Sequence, residues 1–403
     1  LRRFRHILDA THPEKLDVFA TAAVREAPNG KGFLDLVRQI GFDPKLLSGE
    51  DEALLAAYGI LSGVPEILDD DCGALAGDIG GGSLELSHII NSAENWVGDH
   101  ISLPLGALKL SVQFLDDRSA AKKHIDKIIR DVRWLPALQS EKLFIVGGAW
   151  RSLGKILISQ SNYPLEILDR YRISRADMLK LCSVVSKQNV ESLASMDVVQ
   201  RRRAHTLPFA ALVLTSLLEA TDIATIEIAS TGVREGMLFS ALPREVQEQD
   251  PLIMAAHHLA IRFGSHLRPD AEEISNLILP LFPLTDKRGH RLVRAASELC
   301  NFSAGLEPDE RASHAAHAIM SLPLRGIDHE GRVFLSTALA TRHGASEDRL
   351  RSWLPLQFLS EDRLEEAMQL GLALRFVASL SPGGGEALSQ SRFEVTDGKL
   401  MFV

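Results

Sequence analysis

The feature of this sequence that most constrains its fold is a run of three glycines, Gly80–Gly82, between two short apolar segments. The pattern "ALAGDIGGGSLELSHI" predicts a strand, a glycine turn and a returning strand. Because glycine lacks a Cβ, the backbone of such a turn can approach a ligand closely and aim several N–H groups at one point. A concave group of N–H donors suits a phosphate, so the turn predicts a phosphate site.

Two acidic residues flank this turn, Asp78 on the first strand and Glu85 on the second. A carboxylate beside a bare phosphate site is unfavourable because like charges repel, but a divalent cation between them removes the conflict. The two carboxylates are therefore predicted to border one pocket and hold Mg²⁺, partly through water, with the Ser83 hydroxyl as a further ligand. A structural alternative stays open, in which the segment is only a tight hairpin with solvated acids.

Two better-known phosphate motifs do not fit this segment. No lysine follows the glycines, so the P-loop pattern is absent. The dinucleotide-binding pattern needs a small residue where Glu85 stands and a helix after it, whereas "LELSHII" alternates as a strand does.

Strand-like and helix-like segments alternate over the first 240 residues or so, which predicts an α/β architecture. A polar stretch bounded by prolines, Pro243–Pro251, predicts a domain boundary, and the apolar spacing beyond it is almost entirely helical. Near the end of the chain, "RFEVTDGKLMFV" predicts a hairpin with Asp397-Gly398 as its turn. At 403 residues, the chain has room for two or three domains.

Charge and composition narrow the classes of function. A net charge of −9 disfavours nucleic acid as a partner, because proteins that bind it over a whole surface are normally basic. An acidic protein binds a polyanion through a local basic patch or a metal ion. The chain shows no signal peptide and no apolar run of about 18 residues, and its three cysteines form no disulfide framework or zinc spacing. These features predict a cytoplasmic protein without a membrane span.

A predicted helix opens with three acids, Glu50, Asp51 and Glu52, behind Ser48 as a candidate N-cap. The acids either compensate the helix dipole or include a general base that activates water, and position alone does not choose between them. Arg25 lies one turn into another predicted helix. It either forms a surface ion pair or holds a phosphate through two parallel hydrogen bonds.

Taken in order, these segments resemble the exopolyphosphatase and guanosine pentaphosphate phosphohydrolase family. "GDIGGGSLEL" is similar to the family's Asp-Ile-Gly-Gly-Gly-Ser-x-Glu signature almost letter for letter, and "LLSGEDEALLAAYGI" to its Ser-Gly-x-x-Glu-Ala stretch. "ATAAVREAPN" resembles the arginine-bearing segment, while "SLPLGALKL" and "TGVREGML" resemble two further segments. The resemblance covers most of residues 1–242.

The resemblance implies an actin-like (ribonuclease H-like) α/β core of two domains followed by a mostly α-helical domain. The implied domains are the remainder of a first actin-like domain (1–55), a second one with the glycine hairpin (56–242), and a helical HD-like domain with a small α+β tail (251–403). Cys300 and Asn301 stand where the His-Asp pair of an HD domain is expected, so that domain is predicted to act in binding or dimerisation, and a homodimer is expected. The family's first phosphate loop has no match here and the sequence starts at Leu1, which predicts an N-terminal truncation.

The resemblance also implies hydrolysis of phosphoanhydride bonds, either of the terminal phosphate of inorganic polyphosphate or of guanosine pentaphosphate. It assigns Glu52 as the catalytic base and Asp78 and Glu85 as ligands of Mg²⁺. It assigns phosphate binding to Arg25, Gly80, Gly81, Gly82 and Ser83. The sequence does not rank the two substrates. A kinase or ATPase of the same fold, and a catalytically silent sensor of polyphosphate or guanosine alarmones, stay open as alternatives.

Overall fold

The computed structural model describes the whole chain except residues 93, 264–270, 283–286, 381–387, 389–390 and 397–398. The chain divides into two compact units, residues 1–247 and 248–403. The predicted boundary between two actin-like domains at residues 55 and 56 lies within the first unit. This division into two units does not test it, and it stays a prediction.

A mixed six-stranded sheet forms the centre of the first unit. The strands of this unit are β1 (Val18–Ala20), β2 (Pro44–Leu46), β3 (Ala74–Ile79), β4 (Leu84–Ile89), β5 (Val97–Leu103), β6 (Lys142–Val146), β7 (Arg172–Ser174) and β8 (Thr225–Ile228). In the large sheet their order is β5-β4-β3-β6-β8-β7, and β1 pairs with β2 in a separate parallel ladder. Strands β3, β4 and β5 form an antiparallel meander, whereas β6 and β8 continue parallel to β3.

Helices cover both faces of this sheet. The helices of the first unit are α1 (Arg2–Thr11), α2 (Ala22–Arg25), α3 (Gly30–Gln39), α4 (Gly49–Gly63), α5 (Ala107–Phe114), α6 (Arg118–Arg130), α7 (Gly148–Gln160), α8 (Arg175–Val185), α9 (Val190–Ala194), α10 (Leu207–Glu219), α11 (Val233–Ser240) and α12 (Arg244–Gln247). The larger apolar core lies on the face that carries Leu84 and Leu86, against α5, α6, α7, α8 and α10. The opposite face, which carries Ala76 and Val146, packs against α4.

Helices α4 and α11 meet backbone to backbone through glycines. A Cβ added to Gly236 would lie 1.8 Å from the carbonyl oxygen of Leu55, and one added to Gly59 would lie 2.1 Å from that of Gly232. No side chain fits between the two helices at these points, so the crossing fixes the position of α4 against the sheet. The N-terminal turn of α4, which carries the three acids, is positioned by this crossing.

We expect Gly236→Ala to lower the free energy of unfolding of the first unit by at least about 2 kcal/mol, because overpacking at a tight contact typically costs about 1–3 kcal/mol. Gly32→Ala on α3 is the matched control, since a Cβ there meets nothing within 4 Å. That change should be neutral or stabilising by up to about 1 kcal/mol. Denaturant titration measures both, and equal stabilities of the two variants would contradict the close crossing.

The second unit is mostly helical in its described part. Its helices are α13 (Pro251–Phe263), α14 (Ala271–Ile278), α15 (Lys287–Glu298), α16 (Arg311–Ser321), α17 (His329–Arg342), α18 (Glu347–Trp353) and α19 (Glu361–Leu380). Two short strands, β9 (Phe393–Thr396) and β10 (Lys399–Phe402), pair antiparallel as the tail pattern predicts, while the predicted turn Asp397-Gly398 lies outside the described residues. Across the described residues of both units, helices that are long and apolar enough to cross a membrane are absent.

Candidate functional site

The register of the central hairpin places the two predicted metal ligands side by side. Asp78 on β3 and Glu85 on β4 are direct cross-strand partners, and Ser102 on β5 is the partner of Glu85. Since side chains alternate along a strand, all three project from the same face of the sheet. The Ser102 hydroxyl donates a hydrogen bond to Oε1 of Glu85 at 2.9 Å. Like charges directly opposite each other are destabilising in a sheet, so this pair favours a bound cation.

The surroundings of both carboxylates favour their protonated forms. Burial raises the pKa of Asp78 to about 6, although the charge of Arg151 opposes the rise. Burial raises the pKa of Glu85 to about 8, against a hydrogen bond from Ser83, and the charge of Asp78 adds to the rise. A hard divalent cation such as Mg²⁺ prefers oxygen ligands, and it commonly takes only one or two carboxylates and completes its shell with water and substrate phosphates. The oxygen ligands present therefore fit the predicted Mg²⁺ site.

The raised pKa of Glu85 makes the stability of the metal-free protein depend on pH. The folded protein holds the Glu85 proton more tightly than the unfolded chain does. The stabilisation from this protonated carboxyl is therefore complete below the usual carboxyl pKa of about 4.5 and is lost as pH rises towards 8. We expect Glu85→Gln to melt at an increasingly higher temperature than the unchanged protein between pH 5 and 8 in chelator.

Added Mg²⁺ should raise the melting temperature of the unchanged protein at pH 8 and have little effect on the Glu85→Gln variant. Differential scanning calorimetry at several pH values checks both expectations. A difference in melting temperature that stays constant with pH would show that Glu85 is not protonated in the folded protein.

Backbone hydrogen bonds from the start of helix α5 hold the glycine turn in place. The carbonyl oxygens of Gly80, Gly81 and Gly82 accept hydrogen bonds of 2.9–3.2 Å from backbone N–H groups at the start of that helix. The donors are Gly106, Ala107 and Lys109. With the carbonyls turned towards α5, the N–H groups of Gly81 and Gly82 have no acceptor within the described parts of the chain. These two N–H groups can therefore donate to a phosphate.

Of the three acids at the start of α4, the structure buries only Glu52. Asp51 forms a capping box with Ser48: each residue's side chain accepts a hydrogen bond from the other's backbone N–H. Glu50 is exposed. The Glu52 residue is 5% exposed, and burial raises the pKa of its carboxyl although Arg25 opposes the rise. The general-base assignment of Glu52 thus concerns the one buried acid of the three, whose pKa is raised.

Arg25 and Glu52 are brought together beside the glycine turn. Nη1 of Arg25 donates to Oε1 of Glu52 and, at 2.7 Å, to the carbonyl of Leu47. The backbone N–H of Ala22 donates to the same Glu52 oxygen at 3.1 Å. A Cβ added to Gly82 would lie 3.2 Å from the Cβ of Ala22, so helix α2 packs directly against the turn. All the site residues predicted from the sequence therefore lie around one region, and their individual roles stay predictions.

A second glycine turn borders the same region. Gly147, between β6 and α7, has φ +103°, and a Cβ there would lie 2.4 Å from the carbonyl oxygen of Ile79 and 3.1 Å from Oδ1 of Asp78. The sequence pattern "VGGAW" indicates this turn only loosely, and sequence reasoning missed the arginines around it, Arg151 and Arg203. The run Arg201–Arg203 was the signal that could have drawn attention to them.

In the helical unit, the side chain of Asn301 contacts Arg342. Its Oδ1 accepts a hydrogen bond of 3.0 Å from Nη2 of Arg342. Within the described ranges, no group of three or more His, Cys, Asp or Glu residues is arranged to hold a metal ion. The assignment of this unit as HD-like stays a prediction.

Two family models cover nearly the whole chain. The model described as "Ppx/GppA phosphatase family" matches residues 1–245, and the model described as "Exopolyphosphatase, C-terminal" matches residues 252–403. The crystal structure of an exopolyphosphatase from Cytophaga hutchinsonii is similar with a TM-score of 0.53 and 22% identity, over 59% of this chain and 78% of that one. At this identity the likeness shows the fold alone, and it confirms the predicted actin-like α/β core. The helices α13–α19 confirm the mostly helical C-terminal region.

Curated relatives carry three different descriptions. "Retrograde regulation protein 2" of Saccharomyces cerevisiae is 27% identical over 95% of this chain and 70% of its own length. "Exopolyphosphatase 1" of Mycobacterium tuberculosis is 28% identical over 62% of this chain and 73% of its own length. "Guanosine-5'-triphosphate,3'-diphosphate pyrophosphatase" of Aeromonas hydrophila is 24% identical over 84% of this chain and 68% of its own length.

Proposed function

The chain belongs to the Ppx/GppA phosphatase family, and from that membership we propose that it is an exopolyphosphatase that releases terminal phosphate from inorganic polyphosphate with the aid of Mg²⁺. The observation that supports this most is the convergence of three parts: the buried carboxylate of Glu52, the paired carboxylates of Asp78 and Glu85, and the free N–H groups of the first glycine turn. Phosphoryl transfer depends mainly on positioning and charge neutralisation, which these parts supply.

In the proposed reaction, a water oxygen bonds to the terminal phosphorus as the bond from that phosphorus to the bridging oxygen breaks. The products are orthophosphate and a chain shorter by one phosphate. Glu52 orients the water and accepts its proton, and its raised pKa strengthens it as a base. The N–H groups of Gly81 and Gly82 donate to oxygens of the terminal phosphate. Asp78 and Glu85 would hold Mg²⁺, which would supply charge neutralisation at the phosphate oxygens.

Arg25 has two roles in this proposal. Its hydrogen bond to Glu52 orients the base, while its Nε and Nη2 groups have no acceptor in the described part of the protein and can donate to a phosphate oxygen. A guanidinium is suited to this because its N–H groups match the spacing of two phosphate oxygens.

Two further functions are compatible with named relatives. The Aeromonas hydrophila relative supports guanosine pentaphosphate as the substrate. The Saccharomyces cerevisiae relative, whose match extends over 95% of this chain and whose description names a regulation protein, supports a regulatory role. In that alternative the chain binds polyphosphate or a guanosine alarmone without hydrolysing it. A homodimer in the cytoplasm stays part of each proposal.

The experiment that separates these functions measures orthophosphate released by the purified protein from polyphosphate and, separately, from guanosine pentaphosphate, with Mg²⁺ and with chelator. Release from polyphosphate supports the proposal, and release from the nucleotide alone supports the first alternative. Binding of either compound without release supports the silent regulator. If the protein neither binds nor hydrolyses polyphosphate, the proposed function is wrong.

A further inference from the structure

The side chain of Ser102, on β5, lies between two parts of the site that belong to different elements. On one side its Oγ donates a hydrogen bond to Oε1 of Glu85 at 2.9 Å. On the other side it packs against Gly49, the first residue of α4, because a Cβ added to Gly49 would lie 2.5 Å from the Cβ of Ser102 and 2.8 Å from its Oγ. Ser102 thus contacts both a carboxylate of the proposed cation site and the helix that carries Glu52.

Gly49 permits this contact because it has no side chain. Real Cβ atoms essentially never approach another heavy atom within 3.0 Å, so any other residue at this position would displace Ser102 or the first turn of α4. The same Cβ would lie 3.6 Å from Nη2 of Arg25, which is an ordinary contact distance. Glu52 follows three positions later on the same helix. The close approach of Gly49 to Ser102 therefore fixes the proposed base relative to the proposed cation site.

The hydrogen bond from Ser102 restricts the carboxylate of Glu85. A glutamate side chain is flexible, and the freedom that it loses on binding a ligand costs free energy. A hydroxyl that already holds one carboxylate oxygen removes part of that freedom before a cation binds. The register of the sheet supplies the hydroxyl at this place, because Ser102 is the direct cross-strand partner of Glu85. The loss of such a partner of a metal ligand typically lowers metal affinity about 10- to 100-fold.

We propose that Ser102 is a positioning residue for the cation site, and that its contact with Gly49 holds this site at a fixed place relative to Glu52. The inference deepens the proposed function, on which it rests for the identity of the cation and the role of Glu52. Ser102 acts through Glu85 and through α4, and the proposed reaction needs no contact of its hydroxyl with the substrate. The two contacts can be tested separately, since the hydrogen bond needs the Oγ of Ser102 whereas the packing needs the absence of a Cβ at Gly49.

The first test removes the hydroxyl and measures metal binding without substrate. In the complete chain, the rise in melting temperature with Mg²⁺ concentration gives the apparent affinity for Mg²⁺. Ser102→Ala should weaken this affinity at least about tenfold. Phosphate release at saturating Mg²⁺ should stay within about threefold of that of the unchanged protein, because Glu52 keeps its place.

Ser87→Ala is the matched control, because Ser87 lies two residues from Glu85 on the same strand and its hydroxyl donates to the carbonyl of Ala53 rather than to a carboxylate. It should leave the affinity for Mg²⁺ unchanged. A purely structural role of Ser102 would lower the melting temperature in chelator and leave the affinity for Mg²⁺ as it is. That result would overturn the positioning role.

The second test places a methyl group at the contact and then makes room for it. Gly49→Ala should weaken the affinity for Mg²⁺ and lower phosphate release at saturating Mg²⁺, each at least about tenfold, because Ser102 or α4 must shift. Adding Ser102→Gly removes the two atoms that the new Cβ would meet. Phosphate release should then return to within about threefold of that of Ser102→Gly alone. The affinity for Mg²⁺ should stay weak, because the hydroxyl is absent.

Unchanged affinity and phosphate release in Gly49→Ala would overturn the contact, and so would a double variant that releases phosphate no faster than Gly49→Ala. If the double variant does not fold, Ser102→Ala decides the question. If the unchanged protein binds Mg²⁺ but releases no phosphate, the proposed function fails, and the affinities for Mg²⁺ alone decide the role of Ser102. If it binds no Mg²⁺, the cation site and this role are both wrong.

Discussion

Replacing Glu52 by Gln is expected to reduce turnover at least about a hundredfold while leaving the affinity for polyphosphate nearly unchanged. A positioned general base typically contributes about 10²- to 10⁴-fold in rate, and the amide of Gln cannot accept the proton. Because Gln has the same shape, it can still accept a hydrogen bond from Arg25 and from the Ala22 N–H, so the phosphate site keeps its form. Steady-state phosphate release together with equilibrium binding separates the two effects.

The neighbouring acids on the same helical turn serve as controls. Glu50→Gln changes an exposed side chain and should leave both turnover and stability almost unaltered. Asp51→Asn weakens the capping box with Ser48 and should cost up to about 1 kcal/mol of stability with little effect on turnover. If Glu50→Gln proved to be the inactive variant and Glu52→Gln the mild one, the base would be misassigned.

Replacing Asp78 by Asn is expected to remove Mg²⁺-dependent turnover, with a loss of about 10²-fold or more, comparable to removing one group that stabilises transition-state charge. The fold should persist, since Asn keeps the shape of the side chain. In the metal-free protein the variant should gain stability relative to the unchanged protein as pH rises from about 4 to about 6, and keep that advantage above pH 6. The reason is that the unfolded chain loses the Asp78 proton near the usual pKa of 3.8, whereas burial raises the pKa to about 6 in the folded protein, and the amide of Asn does not titrate.

Phosphate release measured over a range of Mg²⁺ concentrations checks the first expectation, and melting curves with and without Mg²⁺ check the second. Ser87→Ala is a matched control, because Ser87 lies on the same face of β4, two residues from Glu85, and donates to the carbonyl of Ala53 at 2.8 Å. It should alter stability without altering the dependence on Mg²⁺. Near-normal phosphate release by Asp78→Asn at saturating Mg²⁺ would show that the metal is held elsewhere.

Local sequence patterns were sufficient to predict those parts of the site whose residues are close together in the chain. Strand alternation on both sides of three glycines places Asp78 and Glu85 on one face, and the hairpin register puts them opposite each other. The capping signal of Ser48 likewise predicts where α4 begins. These features depend on few residues and on backbone geometry, which explains why a single sequence could predict them.

Sequence patterns could not predict contacts between segments that are far apart in the chain. The pattern of three acids could not show that Glu52 is the buried one, because that depends on how α2 packs against the glycine turn. Ser102 reaches Glu85 only through the pairing of β5 with β4, and Arg203 contacts the second glycine turn at Gly148, 55 residues away in the chain. In each case the partner is chosen by tertiary packing, which leaves no local signal.

The direct pairing of Asp78 with Glu85 has a consequence for how this protein tolerates evolutionary change. If β4 slid by one residue along β3, Glu85 would enter the apolar layer that Leu84 and Leu86 now occupy. Such a slip would bury a charge in hydrocarbon and separate the two carboxylates of the proposed cation site, so a chain in the wrong register would lose both stability and that site. Insertions or deletions of one residue in the hairpin are therefore expected to fail at folding, before any defect in chemistry could be exposed to selection.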